Sequence, residues 1–157
     1  MYYNAGKLDE AERQLGKVIE LDERFVFGIW LLGRVYVAAG KREQALTALV
    51  RAEELSQGAA WTRCVLGHAW AVFGESAKAQ KTLAELQDPS KYPYVRAIGV
   101  AFTFLGLGDR QQARIWLEKA CSDRDVWAVM MKVDPIYADM RTDPWFVALL
   151  RRVGLEQ

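Results

Sequence analysis

The chain matches itself at an offset of 34 residues, and no other feature restricts its fold so strongly. Ala11, Ala45, Ala79 and Ala113 share one register, with Gly6, Gly40, Gly74 and Gly108 always five residues ahead of them. Leu15, Leu49, Leu83 and Leu117 follow four residues later, and Val18, Ala52, Leu86 and Ala120 three beyond those. An aromatic column, Tyr2, Tyr36, Trp70 and Phe104, precedes the glycines. A Leu-Gly pair recurs at Leu32-Gly33 and Leu66-Gly67, softened to Val100-Ala101.

Each column has a physical reason. The glycines fall where one helix must stop, because glycine takes the left-handed conformation with little steric penalty. The alanines lie early in the second helix, where only a methyl group fits between close backbones. Leucines and aromatics at i, i+3, i+4 and i+7 give each helix an apolar stripe that it can bury only against its neighbours. The periodic runs predict helices over 9–21, 27–39, 42–55, 60–73, 76–87, 93–106 and 110–121. The expected fold is all-α, an α-solenoid of antiparallel helix pairs with a C-terminal capping helical segment.

These columns, from Tyr2 to Cys121, resemble the tetratricopeptide (TPR) family, whose unit is a 34-residue helix-turn-helix. The resemblance implies a TPR superhelix and a protein-binding role. It divides the chain into a partial repeat over 1–25, repeats over about 26–59, 60–93 and 94–124, and a cap over 125–157. Two departures stand out. The family's preferred Trp in the first helix is replaced by Ile29, Arg63 and Ala97, and the Pro between repeats by Glu23, Gln57 and Lys91. Pro89 and Pro93 bracket a looser connection, Asp88 to Tyr92, where a bend or a changed packing angle is expected.

Both ends carry information. Tyr2 already sits in the aromatic column, so the first repeat opens near the end of its first helix. That leaves an apolar face with Leu8, Leu15 and Ile19 short of a partner, and homo-oligomerisation through this truncated repeat is one expectation. After Cys121 the period stops. A helix is expected over Asp125–Lys132, then Asp134-Pro135 and Asp143-Pro144 each supply an acidic N-cap with proline behind it. The last helix should run from Pro144 to about Val153, with Arg151 and Arg152 at its negative end and Gly154 as its stop. This tail resembles the end of TPR modules found at the C-termini of bacterial signalling and regulatory proteins, which implies a larger protein with an N-terminal effector domain.

If such pairs stack as in the family, the first helices line a hollow face. Projection puts Phe27, Trp61 and Val95 there, then Trp30, Cys64 and Ile98, then Leu31, Val65 and Gly99, then Arg34, His68 and Phe102. From these, Phe27, Trp30, Leu31, Arg34, Trp61, Cys64, Val65, His68, Ile98 and Phe102 are the candidate peptide-binding residues, an apolar groove with two polar members. Aromatic and Arg anchors suit binding hot spots. Relatives that grip chaperone C-terminal carboxylates use Lys and Asn in these columns, and this chain has neither there. The expected ligand is an apolar or amphipathic segment held helix-in-groove. The alternative reading is a structural or regulatory module that assembles through its terminal helices.

Charge and composition narrow the remaining classes. Basic and acidic side chains number 21 and 20 and alternate in sign along the helices, which describes solvated surfaces and argues against a nucleic-acid partner. The longest apolar stretch, Phe25 to Ala39, is interrupted by Arg34, so no membrane span is expected. Cys64 and Cys121 read as free thiols in a reducing, cytoplasmic compartment. Cys64 and His68 stand i, i+4 on one helix, yet a lone histidine without a carboxylate cluster completes neither a catalytic dyad nor a zinc site. No enzymatic activity, metal or cofactor is expected.

Overall fold

The computed structural model describes residues 2–155. It forms α1 (Leu8–Leu21), α2 (Val26–Ala38), α3 (Arg42–Leu55), α4 (Ala60–Val72), α5 (Ser76–Leu86), α6 (Ala97–Gly106), α7 (Arg110–Ser122) and α8 (Pro144–Arg152). Three 3-10 segments complete it, Tyr3–Ala5, Val126–Met130 and Pro135–Met140, and no strand occurs among the described residues. The hairpins are α2/α3, α4/α5 and α6/α7. In front of them the Tyr3–Ala5 turn precedes α1, which holds the register of a second helix.

The glycine column closes each first helix in the same way. Gly6, Gly40, Gly74 and Gly108 have φ of 71°, 70°, 82° and 74°. The next residue then donates its N–H back to the aromatic column: Lys7 to the Tyr2 carbonyl, Lys41 to Tyr36, Glu75 to Trp70 and Asp109 to Phe104, at 2.8–3.0 Å. The fixed distance between aromatic and glycine is thus the length of a helix-terminating loop that satisfies an otherwise open carbonyl. Ala45, Ala79 and Ala113 are fully buried, as are Leu49 and Leu117, so the repeating columns are the inter-helix core. A Cβ on Gly33 would lie 2.6 Å from the Leu49 side chain, which is why the Leu-Gly pair ends in glycine.

Arg63, which stands where the family prefers Trp, does a comparable tying job by charge. Its guanidinium pairs with Glu53 of α3 and Glu85 of α5, bracing α4 between both neighbours.

The connection after α5 departs from the predicted helix over 93–106. α6 starts only at Ala97, because Arg96 is extended (φ −63°, ψ 129°) and residues 88–96 run as a loop pinned by the Tyr92 hydroxyl on the Gly58 carbonyl at 3.1 Å. Proline at 93 lacks the N–H a helix interior needs. As a result α5 barely meets α6, and α6 lies directly on α4. Small residues permit that crossing. A Cβ on Gly99 would come within 2.6 Å of Cys64 Sγ, and one on Gly106 within 2.8 Å of the His68 carbonyl. Thr103 Oγ1 donates to the Cys64 carbonyl across the same contact at 3.2 Å.

The tail is three short segments, each opened by an aspartate. The Oδ1 atoms of Asp125, Asp134 and Asp143 accept from the N–H groups of Trp127, Ile136 and Trp145 at 3.0, 3.1 and 2.9 Å. The helix expected over Asp125–Lys132 is a 3-10 turn over Val126–Met130 instead, closed by the N–H groups of Ala128 and Met131 donating to the carbonyls of Asp125 and Ala128. Met131, Tyr137, Met140, Phe146 and Leu149 of the tail are buried.

Replacing Ala79 by Leu forces extra methylenes into a site with no free surface. Ala79→Leu should destabilise by about 1–3 kcal/mol, read as a lower midpoint in thermal or urea melts; an unchanged midpoint means the register is different.

Candidate functional site

The first helices α2, α4 and α6 form one face, as their columns predict, but the tail lies across it. Asp134 reaches α2, where its Oδ2 meets Arg34 Nη2 at 2.6 Å with both side chains buried. Tyr3 joins from the opposite end of the chain, its hydroxyl donating to Asp134 Oδ1 at 3.3 Å. The Arg34 guanidinium lies over the rings of Tyr3, Trp30 and Phe102 at 5.0, 4.9 and 5.4 Å. Arg141 adds donors to the Val133 and Asp134 carbonyls at 3.0 and 3.1 Å. Tyr137 packs on Phe102 at 6.1 Å and on Phe146 at 5.6 Å. Trp127 stands edge-on to Trp30 at 6.2 Å, and its turn is held by Arg96 Nη1 on Asp125 Oδ1 at 3.0 Å. α8 is fastened to α7 by Trp145 Nε1 donating to Glu118 at 2.8 Å, with Arg114 over the Trp145 ring.

The expected open groove is therefore largely filled, and the cap covers the hollow as well as the last repeat. Trp30, Leu31, Arg34, Cys64, Val65, Ile98 and Phe102 are buried. They pack between α2, α4 and α6 or under the tail, and Trp30, Arg34, Cys64, Ile98 and Phe102 keep only small surfaces at the floor of one cleft. Phe27 and Trp61 stay exposed and His68 partly so.

Could a partner displace the tail? Five buried apolar tail side chains at roughly 1.5–3 kcal/mol each amount to about 10 kcal/mol, comparable with the whole stability of a domain. The tail is a wall of the site and not a loosely held ligand.

Beside that wall an apolar cleft of about 200 Å³ remains open. Trp30, Trp61, Trp127, Tyr94, Ile98 and Phe102 supply its apolar lining, and Arg34 and Arg96 its charge. Trp61 meets Trp30 at 5.4 Å and 68°, and Trp127 meets Trp30 at 67°, so two indoles stand nearly upright against a third. Trp61 is 40% exposed and Tyr94 71%, an unusual display of rings at one mouth. The buried Trp30 Nε1 has no acceptor within the protein.

A second recess, of about 490 Å³, opens on the other side of the tail and includes His68 and Arg110. His68 Nδ1 lies 2.8 Å from the Phe102 carbonyl, which fixes the proton on Nδ1. Burial lowers the His68 pKa to about 4, so the ring is neutral near pH 7. Burial also pushes the Cys64 thiol up to about 12, leaving no thiolate for a Cys–His pair. Among the described residues no three His, Cys, Asp or Glu gather as metal ligands.

Residues 30–51, from the middle of α2 into α3, match the family model described as Tetratricopeptide repeat. That segment carries a tetratricopeptide repeat. The other hairpins share the same glycine, alanine and leucine columns. No curated protein matches the chain. TPR repeats serve in general as protein-interaction scaffolds and are typically non-catalytic. Among the described residues, no helix is long and apolar enough to cross a membrane.

Sequence reasoning placed Arg34 and the rings on this face but missed Asp134 as the partner of Arg34, Asp125 as the partner of Arg96 and Trp127 as part of the cleft. One signal was available: Asp125, Asp134 and Asp143 recur at nine-residue steps, each followed within three residues by an aromatic.

Asp134→Ala strands a buried guanidinium and should destabilise by about 3–5 kcal/mol, against about 1 kcal/mol for Asp143→Ala, which removes only a cap. Urea melts of the two variants check the ranking. The single histidine gives a second test. Its folded pKa lies below the unfolded value, so its contribution is complete above pH 6.5 and declines as pH falls from 6.5 to about 4. The one imidazole C2-proton resonance should titrate near pH 4, and His68→Gln should flatten the loss of urea midpoint over that interval.

Proposed function

We propose that the protein is a scaffold that binds a partner polypeptide at the cleft between Trp61 and the tail. The observation that carries this reading is the ring-lined mouth formed by Trp61 and Tyr94 over a buried apolar floor. Solvent-facing Trp beside a desolvated pocket is the arrangement from which interface hot spots are made. The covered hollow alters the expected mode of binding. A helix laid along the groove would need the path that the tail occupies, whereas about 200 Å³ admits one or two side chains from an extended segment.

The rival, self-association through the truncated first repeat, has less support. Leu8, Leu15 and Ile19 are packed against the core, and what α1 leaves outside is chiefly Val18 and the 90% exposed Leu21.

Panning a random peptide library on the immobilised full chain should enrich sequences with an apolar anchor. Trp61→Ala should lose them while keeping the parent's helical circular dichroism. The same peptides retained on the variant would exclude this cleft.

A further inference from the structure

The tail shows, within the molecule, what this face recognises. Two of its segments dock by one rule. In Asp125-Val126-Trp127 the carboxylate pairs with Arg96 and the ring two residues on packs against Trp30. In Asp134-Pro135-Ile136-Tyr137 the carboxylate pairs with Arg34 and the ring three residues on packs against Phe102. An acidic group lands on an arginine, Arg34 on α2 or Arg96 just ahead of α6, and an aromatic side chain that follows closely lands on a ring of the first-helix face.

The open cleft repeats these elements with the ligand position free. Trp61 and Trp127 each stand edge-on to Trp30 in the cleft lining, so ring faces and edges are the surfaces that an inserted ring meets. Its charged lining is Arg34 and Arg96, with no carboxylate among the lining residues, so the cleft is unsuited to a cation despite its aromatic walls. Arg34 is committed to Asp134. Arg96 gives Nη1 to Asp125, and 42% of its side chain remains exposed. A second carboxylate can approach it from solvent. The Trp30 indole N–H, buried without an acceptor, adds an unanswered donor among the lining residues.

Resting on the reading that this cleft is the partner site, we propose that it selects an acidic-x-aromatic segment. The ring of the partner enters between Trp61 and Trp127, and the carboxylate two residues before it pairs with Arg96. Donors meet acceptors, and ring meets ring, as in the tail.

The test is fluorescence anisotropy of a fluorescein-labelled peptide, Gly-Ser-Asp-Gly-Trp-Ser-Gly, titrated with the full chain. Saturable binding is expected. Changing the peptide's Trp to Leu, or its Asp to Lys, should weaken it by about 3- to 10-fold, as should Trp61→Ala in the protein. Tyr94→Ala, at a more exposed position, provides a second variant should Trp61→Ala lose its helical signal. Absence of saturable binding to the parent peptide would overturn the proposal. So would equal binding of the Leu peptide, or affinity undiminished in both protein variants. Library peptides that depend on Trp61 but carry an aliphatic anchor would leave the general site standing and remove this specificity.

Discussion

The buried pair between Arg34 and Asp134 holds together parts of the chain that the repeat alone would leave apart. Its two residues are 100 positions apart, and the Tyr3 hydroxyl that joins them is 131 from Asp134. Burying two charges carries a desolvation penalty that the attraction only partly repays, so such a pair adds little net stability over an apolar substitute. Its contribution is placement. A carboxylate that must find the one guanidinium framed by Tyr3, Trp30 and Phe102 admits one docking position for the Pro135–Met140 turn. The apolar side chains on either side, Met131, Tyr137 and Phe146, then supply the energy that holds the tail there.

That placement changes the physics of the array. In an ordinary solenoid each repeat touches only its neighbours, and the ends fray independently of the middle. Here the tail crosses from α7 to α2 and Tyr3, so the Pro135–Met140 turn and its Asp134 cap stabilise the start of the described chain. The α6-on-α4 crossing, permitted by Gly99 and Gly106, draws the last hairpin inward in the same sense. The tail contact thus ties the Tyr3–Ala5 turn and α2 to the cap, while α1 keeps its own packing on α2.

The repeating part of this architecture was legible in the sequence because each column answers to a local requirement. A positive φ needs glycine, a close crossing needs alanine, and a stripe needs leucine every three or four residues. The late start of α6 was partly signalled by Pro93, although the pull of periodicity placed the helix too early. What could not be read was where the tail would go. Arg34 and Asp134 each look ordinary in isolation, one a groove residue and the other an N-cap, and nothing local links positions a hundred residues apart. The same gap explains the candidate site. Projection put Trp30 and Trp61 on the same face, and the helical wheel does not distinguish Trp30, roofed by Trp127, from Trp61, which stays open.

Covering most of a concave face narrows recognition without abolishing it. An open groove gathers affinity from many weak contacts along a bound helix and is correspondingly tolerant of sequence. A cleft of about 200 Å³ walled by fixed indoles must draw its affinity from one or two inserted groups, so shape and polarity at those groups decide the outcome. The walls are ordered beforehand by the same contacts that hold the fold, Arg96 on Asp125 and Trp127 on Trp30. Little conformational entropy is then lost on binding, which offsets part of the small contact area. On the proposed reading the tail acts as a selector, because it fills the groove and leaves open only the ring-lined cleft beside Arg96.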